Sequence, residues 1–188
     1  PDSLFNLFSA SKAVTAMLVM LAVQNKQVEL DEPICTWIPD FAKKGKGGVT
    51  VRHILEHRAG IPWIPGERID LEVLSDPVEV VSRICDLEPI SNPGQEAAYH
   101  ALSGGFVLAE VLRKATGVPI QTLLLEQIRL PLGFRGLGFG VPRPLLNRVA
   151  REAFTGPAPP RAFGRLLQQA LGMGMSDIVD VANDPRFL

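Results

Sequence analysis

The stretch Leu7-Phe8-Ser9-Ala10-Ser11-Lys12, which leads into an apolar run from Ala13 to Val23, constrains this chain more than any other feature. A run of that composition makes a helix without a broad polar face, so it belongs in a core rather than on a surface. It falls well short of the roughly 20 residues a membrane span needs. Ser9 and Lys12 stand at i and i+3, which sets a hydroxyl beside an amine at the start of the helix, predicted to run from Ser9 to about Gln24.

That adjacency has a chemical meaning. A serine hydroxyl is a weak nucleophile at neutral pH and needs a group to take its proton. A lysine does this when burial or nearby cations favour its neutral amine. The helix N-terminus, with free N–H groups and the positive end of the dipole, can stabilise an oxyanion on the attacked carbonyl. The plainer alternative makes Ser9 a helix N-cap and Lys12 a solvated first-turn residue.

The bulk properties leave room for an enzyme core and exclude some partners. At 188 residues, 46% hydrophobic and 21% charged, the chain can bury one sizeable core. A net charge of -1 with mixed signs offers no basic surface for nucleic acid or anionic lipid. Gln24, Asn25 and Lys26 stand where a signal peptide would carry its small-residue cleavage site. Opening at Pro1 and closing at Phe187-Leu188, the sequence is expected to be cut from something longer. Cys35 and Cys85 are too few for a disulfide framework and fit no metal-ligand spacing; two buried free thiols are the plainer reading, a bridge between them the alternative.

Helical periodicity recurs over 51–57, 77–87, 102–115 and 120–130, and more weakly over 163–171 and 177–182. Gly60 with Pro62, Gly117 with Pro119, and Gly133 after Pro131 mark stops. Thr50 is the expected N-cap of the second helix, and Asp76 with Pro77 at N1 that of the third. Glycines at Ser103-Gly104-Gly105 suit close helix packing, and Trp37 reads as a packing residue. Prolines crowd 140–164, which reads as an extended connection. The chain is therefore expected to be a single partial domain. Residues 1–139 hold the nucleophile helix and a helical region, 140–164 the connection, and 165–188 a short truncated helical segment.

Hydrolysis of an ester or amide also needs a proton donor for the leaving atom. Tyr99, the one tyrosine of the chain, lies just before a helix and after the turn Pro93-Gly94. Its hydroxyl can serve if a lysine stands nearby; otherwise it is an amphipathic packing residue.

Taken in order, several blocks resemble the penicillin-recognising serine hydrolases. They are Ser9-x-x-Lys12, Asp31-Glu32-Pro33 leading to Ile38-Pro39, Val49-Thr50-Val51-Arg52-His53-Ile54-Leu55-Glu56-His57-Arg58-Ala59-Gly60-Ile61-Pro62, Pro93-Gly94, and Tyr99. That superfamily joins class C type β-lactamases, D-alanyl-D-alanine peptidases and β-lactamase-like carboxylesterases. The resemblance runs through about Leu132-Gly133. It implies an α+β fold of the β-lactamase/DD-peptidase type, of which this chain holds mostly the helical region, with sheet strands largely missing at both ends. It further implies Ser9 as the acylated nucleophile and first oxyanion donor, Lys12 as base and Tyr99 as proton shuttle. Trp63 and His100 are the expected substrate-binding residues; the plainer reading of Trp63, in the proline-rich turn after Gly60, is a packing residue. No cofactor is implied, and the expected partner is a small ester or β-lactam-like substrate.

Two departures bear on function. The family tyrosine motif is usually Tyr-x-Asn, whereas this chain has Tyr99-His100-Ala101, which favours an esterase over a true β-lactamase. The third family motif, Lys-Thr-Gly or His-x-Gly on a sheet edge, has no counterpart; Lys114-Ala115-Thr116-Gly117 is one residue too long and sits at a helix end. This chain is accordingly expected to be inactive alone. Two rival readings remain. His53-Ile54-Leu55-Glu56-His57 matches the inverted zinc-peptidase motif, with both histidines at i and i+4 and Glu110 or Glu126 as a third ligand. A non-catalytic scaffold relative is the other.

Overall fold

Helices and tight 3-10 turns make up the regular structure in the computed structural model, which describes residues 2–62, 71–153, 155–156 and 175–184. Among these residues extended pairing is confined to two isolated bridges, Leu4 with Val149 in parallel and Pro33 with Thr50 antiparallel. The helical region expected of an α+β fold is thus what the chain contains.

The helices are α1 (Ser11–Gln24), α2 (Val51–Leu55), α3 (Leu71–Leu74), α4 (Pro77–Cys85), α5 (Ser103–Thr116), α6 (Ile120–Leu124) and α7 (Leu130–Leu132), with a further helix over Met175–Asn183. The hub is α5. Its buried residues Ser103, Gly104, Val107, Leu108, Val111 and Leu112 form two adjacent rows at helical spacing. Against these rows pack α1, α2 and α4. Ile54 and His100 lie directly over Gly104, as the glycine pair suggested.

Local signals set most helix ends. The Thr50 hydroxyl accepts from His53 N at 3.3 Å while Thr50 N donates to His53 Nδ1 at 3.2 Å, a capping box closed by histidine. Asp76 Oδ1 accepts from Val78 N and Glu79 N, with Pro77 in the first turn. Gly117 and Gly133 take left-handed conformations, φ 75° and 69°, past the ends of α5 and α7.

Other expectations need correction. The helix expected over 120–130 is interrupted: Leu125–Arg129 forms a π turn in which Leu130 N–H bonds to Leu125 O, five residues back. Pro131, with no N–H to give, follows directly. Within the proline-rich connection, Arg143–Arg148 forms a 3-10 helix with Pro144 in its first turn, where the missing N–H does no harm. The segment 163–171 lies outside the described residues. Nor is α1 buried all round: Thr15, Leu18, Val19 and Ala22 are buried, but Met17 and Met20 are about half exposed, because α5 covers one face only.

A buried lysine had no signal in the sequence. Lys46, 0% exposed, donates from Nζ to Lys43 O at 2.9 Å, to Cys85 O at 2.8 Å and to Leu87 O. It ties the 3-10 segment Pro39–Gly48 to the C-terminal end of α4, whose last carbonyls want a cation. Burial pushes its ammonium below the usual lysine range. Cys35 and Cys85 are both free.

Candidate active site

Ser9 sits in a 3-10 turn, Phe8–Ala10, immediately ahead of α1 rather than inside it. Phe8 enters that turn with φ 46°, a left-handed conformation that bulky residues adopt only under constraint. The turn leaves Ser9 exposed and Lys12 half-buried, so the expected burial of the helix start is corrected to a site at the surface. Ser9 is not an N-cap, since no side chain caps α1.

Three side chains meet at one oxygen. The Tyr99 hydroxyl lies 2.5 Å from Ser9 Oγ, across 90 residues of chain, and Lys12 Nζ lies 3.4 Å from the same atom. Lys12 Nζ also donates to Ala101 O at 2.7 Å, which holds the amine beside Tyr99, 4.9 Å from the ring centroid. Burial works to raise the Tyr99 phenol, but its hydrogen bonds with Ser9 and Lys12 and the Lys12 charge outweigh it, and the group titrates below its usual value. The Ala101 carbonyl is a partner of Lys12 that sequence reading missed; a backbone acceptor carries no residue-type signal.

The loop carrying Tyr99 is laid along residues 57–61. Ala98 N donates to His57 O at 2.9 Å, His100 N to His57 Nδ1 at 3.1 Å, and Ile61 N to His100 Nε2 at 3.2 Å. Ser103 Oγ adds a bond to Ile61 O at 2.6 Å. His100 is 0% exposed, and burial, helped by His57 and opposed by the Ala98 backbone, pushes its imidazole down to about 4. The expected substrate contact by His100 is therefore not met: its ring faces the interior and ties Tyr99's loop to residue 61. Trp63, the other expected substrate-binding residue, lies outside the described residues.

The zinc geometry does not form. Because α2 ends at Leu55 and His57 takes φ 59°, the two histidines leave the shared helical face that the i, i+4 spacing needs. Each Nδ1 already accepts a backbone N–H, from Thr50 and from His100. Among the described residues no group of three or more His, Cys, Asp or Glu is placed to hold a metal.

Beside Lys12 opens an apolar cavity of about 480 Å³, walled by residues that include Phe8, Thr15, Leu102, Phe106 and Phe139. Its size is that of a small-molecule site.

With this geometry in hand, known proteins are informative. The Beta-lactamase family pattern matches residues 1–183. Esterase/beta-lactamase LipL of Mycobacterium tuberculosis is 30% identical over 75% of this chain and 32% of its own length. Esterase EstB of Burkholderia gladioli is 31% identical over 73% of this chain and 39% of its own. The solved structure of EstA from Arthrobacter nitroguajacolicus Rue61a superposes with a TM-score of 0.83 at 28% identity, covering 100% of this chain and 50% of that one. The chain thus spans about a third to two-fifths of the length of these curated relatives. On the match over nearly its whole length and the helical core it shares with these hydrolases, the chain belongs to the Beta-lactamase family.

Proposed function

We propose that the protein is a serine hydrolase that cleaves carboxylic esters through an acyl-enzyme on Ser9. The observation that carries this reading is the convergence of Tyr99 and Lys12 on Ser9 Oγ, at 2.5 and 3.4 Å. Both groups can take part in removing the serine proton as the hydroxyl attacks the ester carbonyl. Tyr99 then delivers a proton to the departing alkoxide, and the Ser9 backbone N–H supplies one oxyanion donor. Water repeats the sequence in reverse roles to release the acid.

Two further points support esters over β-lactams. Ala101 stands where an asparagine amide would meet a β-lactam side chain. The similar proteins LipL and EstB are both named as esterases. LipL is also named as a β-lactamase, so a penicillin is the second substrate to try.

The test is intact-mass labelling with p-nitrophenyl butyrate and, separately, benzylpenicillin, on the full-length protein beside its Ser9→Ala variant. The expected result is a serine-dependent butyryl adduct that turns over. An adduct that persists in Ser9→Ala, or a folded full-length protein that takes no label, would refute the reading and leave the non-catalytic scaffold as the better account.

A further inference from the structure

We propose that His57 is a positioning residue for Tyr99, gripping the backbone on both sides of the tyrosine and thereby fixing the reach of its hydroxyl to Ser9. The inference rests on the acyl-enzyme reading above, in which that reach is what moves the proton.

Two acceptors of one residue hold the N–H groups of the residues on either side of Tyr99. The His57 carbonyl takes the N–H of Ala98 at 2.9 Å, and its Nδ1 takes the N–H of His100 at 3.1 Å. Tyr99 cannot swing away from Ser9 by backbone rotation without breaking one of these bonds. The His57 ring also packs against the Tyr99 ring, centroids 4.9 Å apart and planes tilted by 59°, and against His100 at 5.6 Å. The phenol is therefore held by its main chain and by its face.

The backbone of His57 explains how one residue does both. Its φ of 59° turns the carbonyl and the imidazole toward the same neighbouring segment, which the extension of α2 would not allow. Because Nδ1 accepts, the neutral ring carries its proton on Nε2; a proton on Nδ1 would replace an acceptor with a donor facing the His100 N–H. Burial, with the charge of Lys12 adding to it, favours that neutral form. Arg58, the adjacent cation, is engaged elsewhere through bonds to Gly94 O and Gln95 O at 3.2 Å.

The test uses the fact that this chain contains one tyrosine, so tyrosinate absorbance reports Tyr99 alone. His57→Gly keeps the left-handed backbone and the carbonyl but removes Nδ1 and the ring. His57→Asn tolerates the same conformation and restores a side-chain acceptor. In wild type the phenol should ionise below its usual value. In His57→Gly its midpoint should rise, because the hydroxyl leaves Ser9 and Lys12; mere loss of burial would move it the other way. In the full-length protein the acylation rate should fall about 100-fold with little change in KM. His57→Asn should keep the wild-type midpoint and a rate within about tenfold. An unmoved midpoint in folded His57→Gly, or equal shifts in both variants, would overturn the proposal. If His57→Gly fails to fold, a shifted midpoint in folded His57→Asn overturns it and a wild-type midpoint supports it. Absence of a Ser9-dependent adduct in the folded full-length protein would sink the acyl-enzyme reading instead, while the titration, made on this chain, still decides the role of His57.

Discussion

Lys12 and Tyr99 make different contacts with Ser9, and the difference predicts different losses. Lys12 Nζ both touches Ser9 Oγ and bonds the Ala101 carbonyl, so Lys12→Ala removes the amine beside Ser9 and loosens the junction of the two segments. Acylation should drop to a trace. Tyr99→Phe keeps the ring against His57 and deletes the hydroxyl alone. It should slow acylation by roughly two to four orders of magnitude, measured in single turnover with p-nitrophenyl butyrate. Normal turnover in the Lys12 variant would refute its role. His100 makes its mark on stability instead. Its folded-state value of about 4 lies below the 6.5 of an unfolded histidine, so the unfolded chain binds the extra proton between those values. Stability should be full above about 6.5 and decline as pH falls toward 4, by on the order of 3 kcal/mol. Urea unfolding of wild type and His100→Asn at both ends of the window checks this. The Asn variant should be weaker at neutral pH and less sensitive to acid.

Elements in this chain are ended by identifiable residues, and their ends aim the site. The Thr50 capping box starts α2, and its stop at Leu55 releases His57 to turn toward the tyrosine loop. At the other side of the core, Lys46 closes α4 by filling the carbonyls of Cys85 and Leu87. Lys46→Met would keep the apolar stem and remove the ammonium, leaving buried acceptors without a donor. The expected loss is about 2 kcal/mol, read as a lowered urea midpoint with little change in the slope of the transition. Caps at Thr50 and Asp76 and stops at Gly117 and Gly133 were legible in the sequence, because each depends on residues within one turn. The π turn at Leu125–Arg129 and the early end of α2 were not, because periodicity marks which side is apolar and says nothing of which hydrogen bond each N–H selects. Lys46 reads as one of several lysines in a polar loop; only the fold supplies the carbonyls that make it an interior residue.

For the molecule as a whole, α5 sets the relation between Ser9 and Tyr99. It packs against α1, α2 and α4, and the segment entering it carries Tyr99 and the Ala101 carbonyl. Leu112, fully buried on that helix, is therefore a sensitive point: Leu112→Ala should cost about 3 kcal/mol through lost contacts and an unfilled cavity, measured by denaturant unfolding. A change below about 0.5 kcal/mol would mean that α5 is not the packed centre. By itself the sequence determined the Ser9–Lys12 pair, the caps and glycine stops, and the family blocks. These follow from backbone geometry over three or four residues, or from the order of motifs. Tertiary structure alone decided that Tyr99 touches Ser9 across 90 residues, that Lys12 finds the carbonyl of Ala101, and that His100 turns inward while His57 faces the tyrosine. Such meetings depend on how helices stack and on which way a chain leaves its turn. Residue type and spacing leave those directions open until the core has packed.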